Sequence, residues 1–167
     1  MQLTTLVAFA ILAASAAAGI VKRSGEGVHL ANCYQQSPLG QIPFSQMLYY
    51  ADDAEASQNV KPSNSNQCRV TNPGGGGWKQ WEGSSITCTF PSNTYFTSSI
   101  QSGASSYSVG AYAGSGRNNY HNFNCYRDNN HQLFNDGTYS CWSVYYCLDV
   151  SIPCNLERAN TDGTEQA

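Results

Sequence analysis

Charge is what this chain has least of. Asp, Glu, Lys and Arg make up 11% of its 167 residues, and eight Lys/Arg face eleven Asp/Glu for a net charge of −3. No cluster of basic residues occurs, so binding of nucleic acid or an anionic membrane through bulk electrostatics is excluded. Long helices laced by salt bridges are excluded too. Beyond Arg23 no stretch repeats with a heptad or 3.6-residue period, which removes the amphipathic helix as a building unit. The spacings CxxC and HxxxH are missing, so no metal site of the common zinc kinds is expected. No cofactor is expected either. Without an Asn-x-Ser/Thr triplet, N-glycosylation is not expected. Three histidines leave a short inventory for acid–base chemistry.

The longest apolar run lies at the start. Leu3 to Ala18 is alanine-rich and ends in Ala16-Ala17-Ala18-Gly19, the small-residue pattern a signal peptidase requires. The run is roughly 16 residues, short of the ~20 that cross a bilayer, so it predicts a signal peptide over 1–18 and no membrane span. A short pro-segment, 19–23, ends in Lys22-Arg23 and precedes the Gly-rich Ser24-Gly25-Glu26-Gly27. This pair resembles a kexin-type processing site of the fungal secretory route, which implies a mature chain starting near Ser24. The alternative is an accidental basic pair on an exposed tail. A single domain over 24–154 and a flexible polar tail over 155–167 complete the expected organisation.

Seven cysteines, Cys33, Cys68, Cys88, Cys125, Cys141, Cys147 and Cys154, are most simply disulfide formers in an exported chain. The odd number leaves one thiol free, paired only after processing, or linking two chains as a dimer. Cys141 and Cys147 are about 20 Å apart if they share one extended strand, whereas bridged Cα atoms lie within roughly 7 Å. They must therefore take different partners.

Short β-type segments separated by turn residues fill the mature chain. Val28–Tyr34, Gln46–Tyr50, Gln67–Thr71, Ile86–Phe90 and Thr94–Ile100 read as strands, and Ser106–Ala113 alternates Tyr107, Val109 and Ala111 against small residues. Gly114-Ser115-Gly116 reads as the start of a turn into a meander over Asn118–Val150. Ala51–Ala56 reads as one helical turn or an acidic loop, the latter a solvated turn rather than a calcium loop because its carboxylates lack the spacing such a site needs. In the last strand Trp142, Val144, Tyr146, Leu148 and Val150 are expected to face the core, with Tyr139, Cys141, Ser143, Tyr145 and Cys147 opposite. The fold class is all-β: a disulfide-stapled antiparallel sandwich or partly open barrel of roughly seven to nine short strands.

Few residues could carry chemistry. Hydrolysis of a phosphodiester needs a base, an acid and a cation for the phosphate, and Glu82, His121, His131 and Arg127 supply the types. His121 and His131 flank Arg127-Asp128-Asn129-Asn130, so a hairpin there would bring them together. The set is similar to the His/Glu/Arg/His sites that small fungal ribonucleases build on a sheet, as is the local Asn118-Asn119-Tyr120 wording. The alternative is that both histidines are half-exposed and bonded to neighbouring Asn residues. Thiol catalysis through His121 and Cys125 is disfavoured, since four residues of strand separate them by ~13 Å. Trp78, Trp81, Tyr120 and Tyr126 sit beside polar or small residues and could stack on sugars or on a protein partner. Packing within the fold is their other use.

Export signal, basic pair, small size and cysteine set together resemble the small secreted cysteine-rich proteins of filamentous fungi. Val28-His29-Leu30-Ala31-Asn32-Cys33, Trp81-Glu82-Gly83 and Asn119-Tyr120-His121-Asn122-Phe123 look like phrases of that group. The resemblance implies a secreted, extracellular effector or toxin-like protein, non-enzymatic, acting by binding a host or competitor surface protein. Two alternatives stand beside it: a small ribonuclease-like hydrolase, and a module that binds cell-wall glycan.

Overall fold

The structure, a computed structural model, describes residues 25–72 and 76–150. The expected signal peptide and pro-segment with Lys22 and Arg23, the seventh cysteine Cys154, and the expected tail lie outside the described residues. Nine strands follow one another: β1 (Gly27–Ser37), β2 (Gly40–Tyr50), β3 (Gln67–Val70), β4 (Ser85–Thr89), β5 (Tyr95–Ile100), β6 (Tyr112–Asn118), β7 (Asn122–Arg127), β8 (Gln132–Asn135) and β9 (Tyr139–Asp149). They form one antiparallel sheet in the order β3-β2-β1-β9-β7-β6-β5-β4, with β8 paired to β9 alongside β7. The acidic Asp53–Ser57 is a 3-10 turn capped by the Asp52 side chain.

The sheet rolls until its two edges meet. Cys68 on β3 and Cys88 on β4 are disulfide-bonded, so unpaired edges that would otherwise be exposed are stapled side by side into a nearly closed barrel. Inside lie Val28, Leu30, Met47, Trp81, Ile86, Phe90, Phe96, Phe123 and Tyr145. Each such side chain contributes on the order of 1.5–3 kcal/mol by leaving water, and Phe96 meets Phe123 edge-on at 5.2 Å. Within the strand expected over Ile86–Phe90, every second residue, Ile86, Cys88 and Phe90, is buried. A second, smaller core of Ala31, Cys33, Phe44, Leu48, Tyr50, Ala56, Leu133, Phe134 and Cys141 lies on the other face of β1, β2 and β9. There β8 and the Asp53–Ser57 turn cover it.

Strand β9 serves both cores because its phase changes along its length. His29 pairs with Tyr146 and Leu30 with Tyr145, but Ala31 pairs with Ser143. Val144 is the extra residue of a β-bulge, and a one-residue slip moves every later side chain to the opposite face. The single apolar face expected from Trp142 to Val150 is therefore corrected. Cys141 points into the outer core and Cys147 into the barrel, while Trp142, Val144 and Leu148 are half-exposed. The two cysteines bond to different partners, as their spacing demands: Cys141 to the directly opposed Cys33 and Cys147 to the directly opposed Cys125.

Two further expectations are corrected. Residues 107–111 are not strand: Tyr107 and Val109 are exposed, and left-handed glycines turn the chain before the segment at 103 and within it at 110. Gly114 and Gly116 lie within β6 rather than in a turn. Their lack of a side chain serves close approach, since a Cβ on Gly116 would sit 2.4 Å from the Phe96 ring and one on Gly114 2.2 Å from the Ser99 carbonyl oxygen.

Replacing Cys68 and Cys88 together by serine opens the seam. Unfolding in denaturant is expected to show a loss of about 2–4 kcal/mol, and an unchanged midpoint would mean that the edges hold without the staple.

Candidate binding site at the barrel mouth

One end of the barrel is open. The strand ends and turns around it carry Glu26, Val28, Tyr49, Asn66, Phe90, Ser92, Thr94, Phe96, Asn118 and Tyr120, which line a cavity of about 250 Å³. The floor is apolar (Val28, Phe90, Phe96) and the rim polar, with Tyr120 projecting at 76% exposure. Tyr120 is held out by its turn: the Asn118 carboxamide oxygen accepts from the backbone N–H of Tyr120 and of His121, both at 2.7 Å.

Three charged or titratable groups gather beside this cavity. Antiparallel pairing of β1 with β9 sets Glu26 next to Asp149, whose N–H donates to the Glu26 carbonyl, and the β6–β7 turn adds His121. The imidazole Nδ1 is 3.3 Å from Asp149 Oδ2, and Nε2 is 3.9 Å from Glu26 Oε1. The Tyr49 hydroxyl donates to Glu26 Oε2 at 2.8 Å. Burial first, then the bonded carboxylate, push the Tyr49 phenol up to about 12, so it remains a donor at neutral pH.

The hydrolase residues are distributed differently from their expected assembly. His121 stands just before β7, with Arg127 at its far end and His131 beyond, so the six-residue strand puts roughly 20 Å between His121 and Arg127. The hairpin that would join the two histidines is absent among the described residues. Arg127 Nη1 donates to the carbonyls of Asp128 and Val144, and its guanidinium lies 5.5 Å from the Tyr145 ring centre. It locks the bulge. Glu82 accepts the Tyr145 hydroxyl, a contact that, after burial, raises the Tyr145 phenol. His131 faces Asp128 and Asn129.

Of the aromatics, Trp81 is buried with its Nε1 donating to Asn32 Oδ1, a correction to its reading as a binding residue. Trp78 is 43% exposed and packs on Tyr34, which in turn meets Trp142, at the opposite end of β1 from Glu26. Tyr126 belongs to a cross-strand row on the outer face, stacked on Tyr146 at 5.4 Å and edge-on to Tyr112 at 6.2 Å.

That row leads to a buried polar network with no counterpart in the sequence reading. His29, 3% exposed, has Nε2 3.0 Å from Asp53 Oδ1 and Nδ1 2.8 Å from Ser143 Oγ. Asp128 Oδ2 lies 3.8 Å from the same nitrogen, and Asp128 Oδ1 is 3.3 Å from His131 Nδ1. Serine, imidazole and carboxylate in line are the parts of an acyl-transfer triad. Ser143 has no exposed surface, however, so no substrate carbonyl reaches it. The network holds the Asp53 turn and the 128–131 loop onto β1 and β9. Its one signal in the sequence is a histidine inside the apolar run Val28-His29-Leu30. Glu26 and Asp149 carry no such signal, because their nearness comes from strand register alone.

Comparison with protein-family models, with curated proteins and with solved structures finds no match to this chain. No described helix is long and apolar enough to cross a membrane.

The Asp128–His131 pair sets a pH dependence. Burial acts to raise the Asp128 carboxyl, but hydrogen bonds from His131, Ser143 and the Asn129 N–H, with the imidazolium charge, hold it below its usual value. The bond to Asp128 raises His131, against burial. The histidine's contribution to stability is then full below about pH 6.5 and lost as pH rises through its higher folded value. The carboxylate's contribution is present above about pH 4 and lost as pH falls through its lower one. His131→Gln is expected to cost more stability at pH 5.5 than at pH 8.5 in denaturant titrations, and an equal cost at both would show that the pair is not charged.

Proposed function

We propose that the protein is exported and acts outside the producing cell as a non-enzymatic, effector- or toxin-like binding protein. It engages a host or competitor surface protein through the barrel mouth. The observation carrying this reading is the dispersal of the acid–base residues: His121, His131, Arg127 and Glu82 occupy separate settings and are turned toward groups of the protein itself. The mouth, by contrast, is concave, apolar at its floor and rimmed by a projecting tyrosine, which is how interfaces present an anchoring pocket. Its volume takes one side chain of a partner. Three disulfides suit an oxidising compartment, in keeping with the resemblance to secreted cysteine-rich proteins.

A second reading, binding of cell-wall glycan, is favoured by one observation. Trp78 is exposed and backed by Tyr34 and Trp142. Their rings meet at 69° and 81°, so they do not form the shared flat platform on which successive sugars stack. The mouth is therefore preferred.

Intact host or competitor cells incubated with the purified protein are expected to retain it. Tyr120→Ala should weaken retention at least ~5-fold, the loss typical of an interface anchor, while His131→Ala leaves it unchanged. RNA cleavage by the wild type that disappears in His131→Ala or Glu82→Gln would support the hydrolase reading instead. Retention on chitin or β-glucan abolished by Trp78→Ala would support the glycan reading.

A further inference from the structure

The geometry points to a divalent metal site at the mouth, in which Glu26, His121 and Asp149 bind a zinc-class cation and leave coordination positions open beside the cavity. One ligand atom from each residue can be chosen so that all three lie within 4.8 Å of one another. Donors around a tetrahedral zinc, at bond lengths near 2.0–2.2 Å, are separated by about 3.3–3.6 Å. The 3.3 Å to Asp149 is measured from Nδ1 and the 3.9 Å to Glu26 from Nε2, so a shared metal uses one of these nitrogens and draws in the other carboxylate by a side-chain rotation within the 4.8 Å cluster. One imidazole nitrogen takes the metal and the other keeps its proton.

Independent support comes from Glu26. Its Oε1 has essentially no accessible surface and no hydrogen-bond partner in the structure, while Oε2 accepts from Tyr49. A buried carboxylate oxygen without a hydrogen bond is costly, and a cation satisfies it. The Tyr49 hydroxyl then plays the orienting part that ligating carboxylates usually receive from a second layer of hydrogen bonds. The supports are rigid. Asp149 is fixed by its backbone bond to Glu26, and His121 by the Asn118 side chain and by the Asn118 N–H donating to the His121 carbonyl.

The donor set selects among metals. One imidazole with two carboxylates suits zinc and its first-row neighbours. Calcium requires six to eight oxygens, and three residues supply too few. Three protein ligands leave at least one position for water or for a donor atom of a bound partner, the arrangement of an open zinc site. This assignment does not depend on the identity of the partner proposed above.

The test uses the full chain, produced by an exporting host and stripped with a chelator. Calorimetric titration with Zn²⁺ is expected to give one saturable site per chain. Affinity should fall at least ~10-fold in His121→Ala and in Asp149→Asn, and be unchanged in His131→Ala. Should His121→Ala fold poorly, Glu26→Gln is the milder variant, and the His121 ring resonances provide a direct reading: Zn²⁺ should shift them and leave those of His131 in place. Zinc should also raise the unfolding temperature of the wild type, because it binds only the folded chain, and not that of the ligand variants. Absence of saturable binding, an equal affinity in wild type and the ligand variants, or a preference for Ca²⁺ over Zn²⁺ would overturn the assignment.

Discussion

The bulge at Val144 is the constraint on which the rest of the molecule depends. An uninterrupted β9 would present Cys141, Ser143, Tyr145 and Cys147 to one face and could bury only one core. With one residue set aside, Ser143 faces the outer core while Tyr145 and Cys147 enter the barrel. The unpaired segment is secured from the neighbouring loop: the Val144 carbonyl accepts from the Asp128 N–H at 3.0 Å and from Arg127 at 2.8 Å, and the Ser143 N–H donates to the His131 carbonyl. Arg127, the natural candidate for a phosphate ligand, is thereby committed to backbone carbonyls. The same bulge places the Ser143 hydroxyl against His29 and so creates the buried network.

All three histidines stand beside carboxylates, and in an acidic chain this has a physical reason. Basic side chains are few, and among the described residues Lys61 pairs with Asp136 at 2.6 Å. Imidazole rings therefore stand beside several of the carboxylates: His29 by Asp53 and Asp128, His131 by Asp128, His121 by Glu26 and Asp149. A histidine that shuttles protons to a substrate must be free to meet it. His29 is sealed, and His131 is bound into the loop that caps the bulge. His121, 42% exposed along its side chain, stands next to an open cavity, where the proposed binding site lies.

Much of the fold was legible in the sequence. Period-two alternation and turn residues identify an all-β chain, and the six-residue gap between Cys141 and Cys147 forbids their pairing. The phase of β9 was not legible, because a bulge is specified by the 128–131 loop that bonds to it rather than by the alternation of β9 itself. The role of Gly114 and Gly116 is hidden for a related reason: a glycine that admits a neighbouring ring looks the same in sequence as one that turns the chain. Of the candidate site, Tyr120 and His121 were singled out. Glu26 and Asp149 are 123 positions apart, and only the antiparallel register of β1 on β9 makes them neighbours.

The existence of a cavity at all follows from one of those glycines. A barrel of this size is filled by its own side chains, so free volume arises where the strands end and the packing below can stay low. Phe96 forms part of the floor, and its ring lies against Gly116, where a Cβ would intrude to 2.4 Å. Any side chain at position 116 would push that ring away from β6, toward the space that the mouth now offers. The absence of a side chain on one strand thus maintains the opening between Glu26, Tyr49 and Tyr120, and the chemistry at the rim rests on packing below it that carries no polar group.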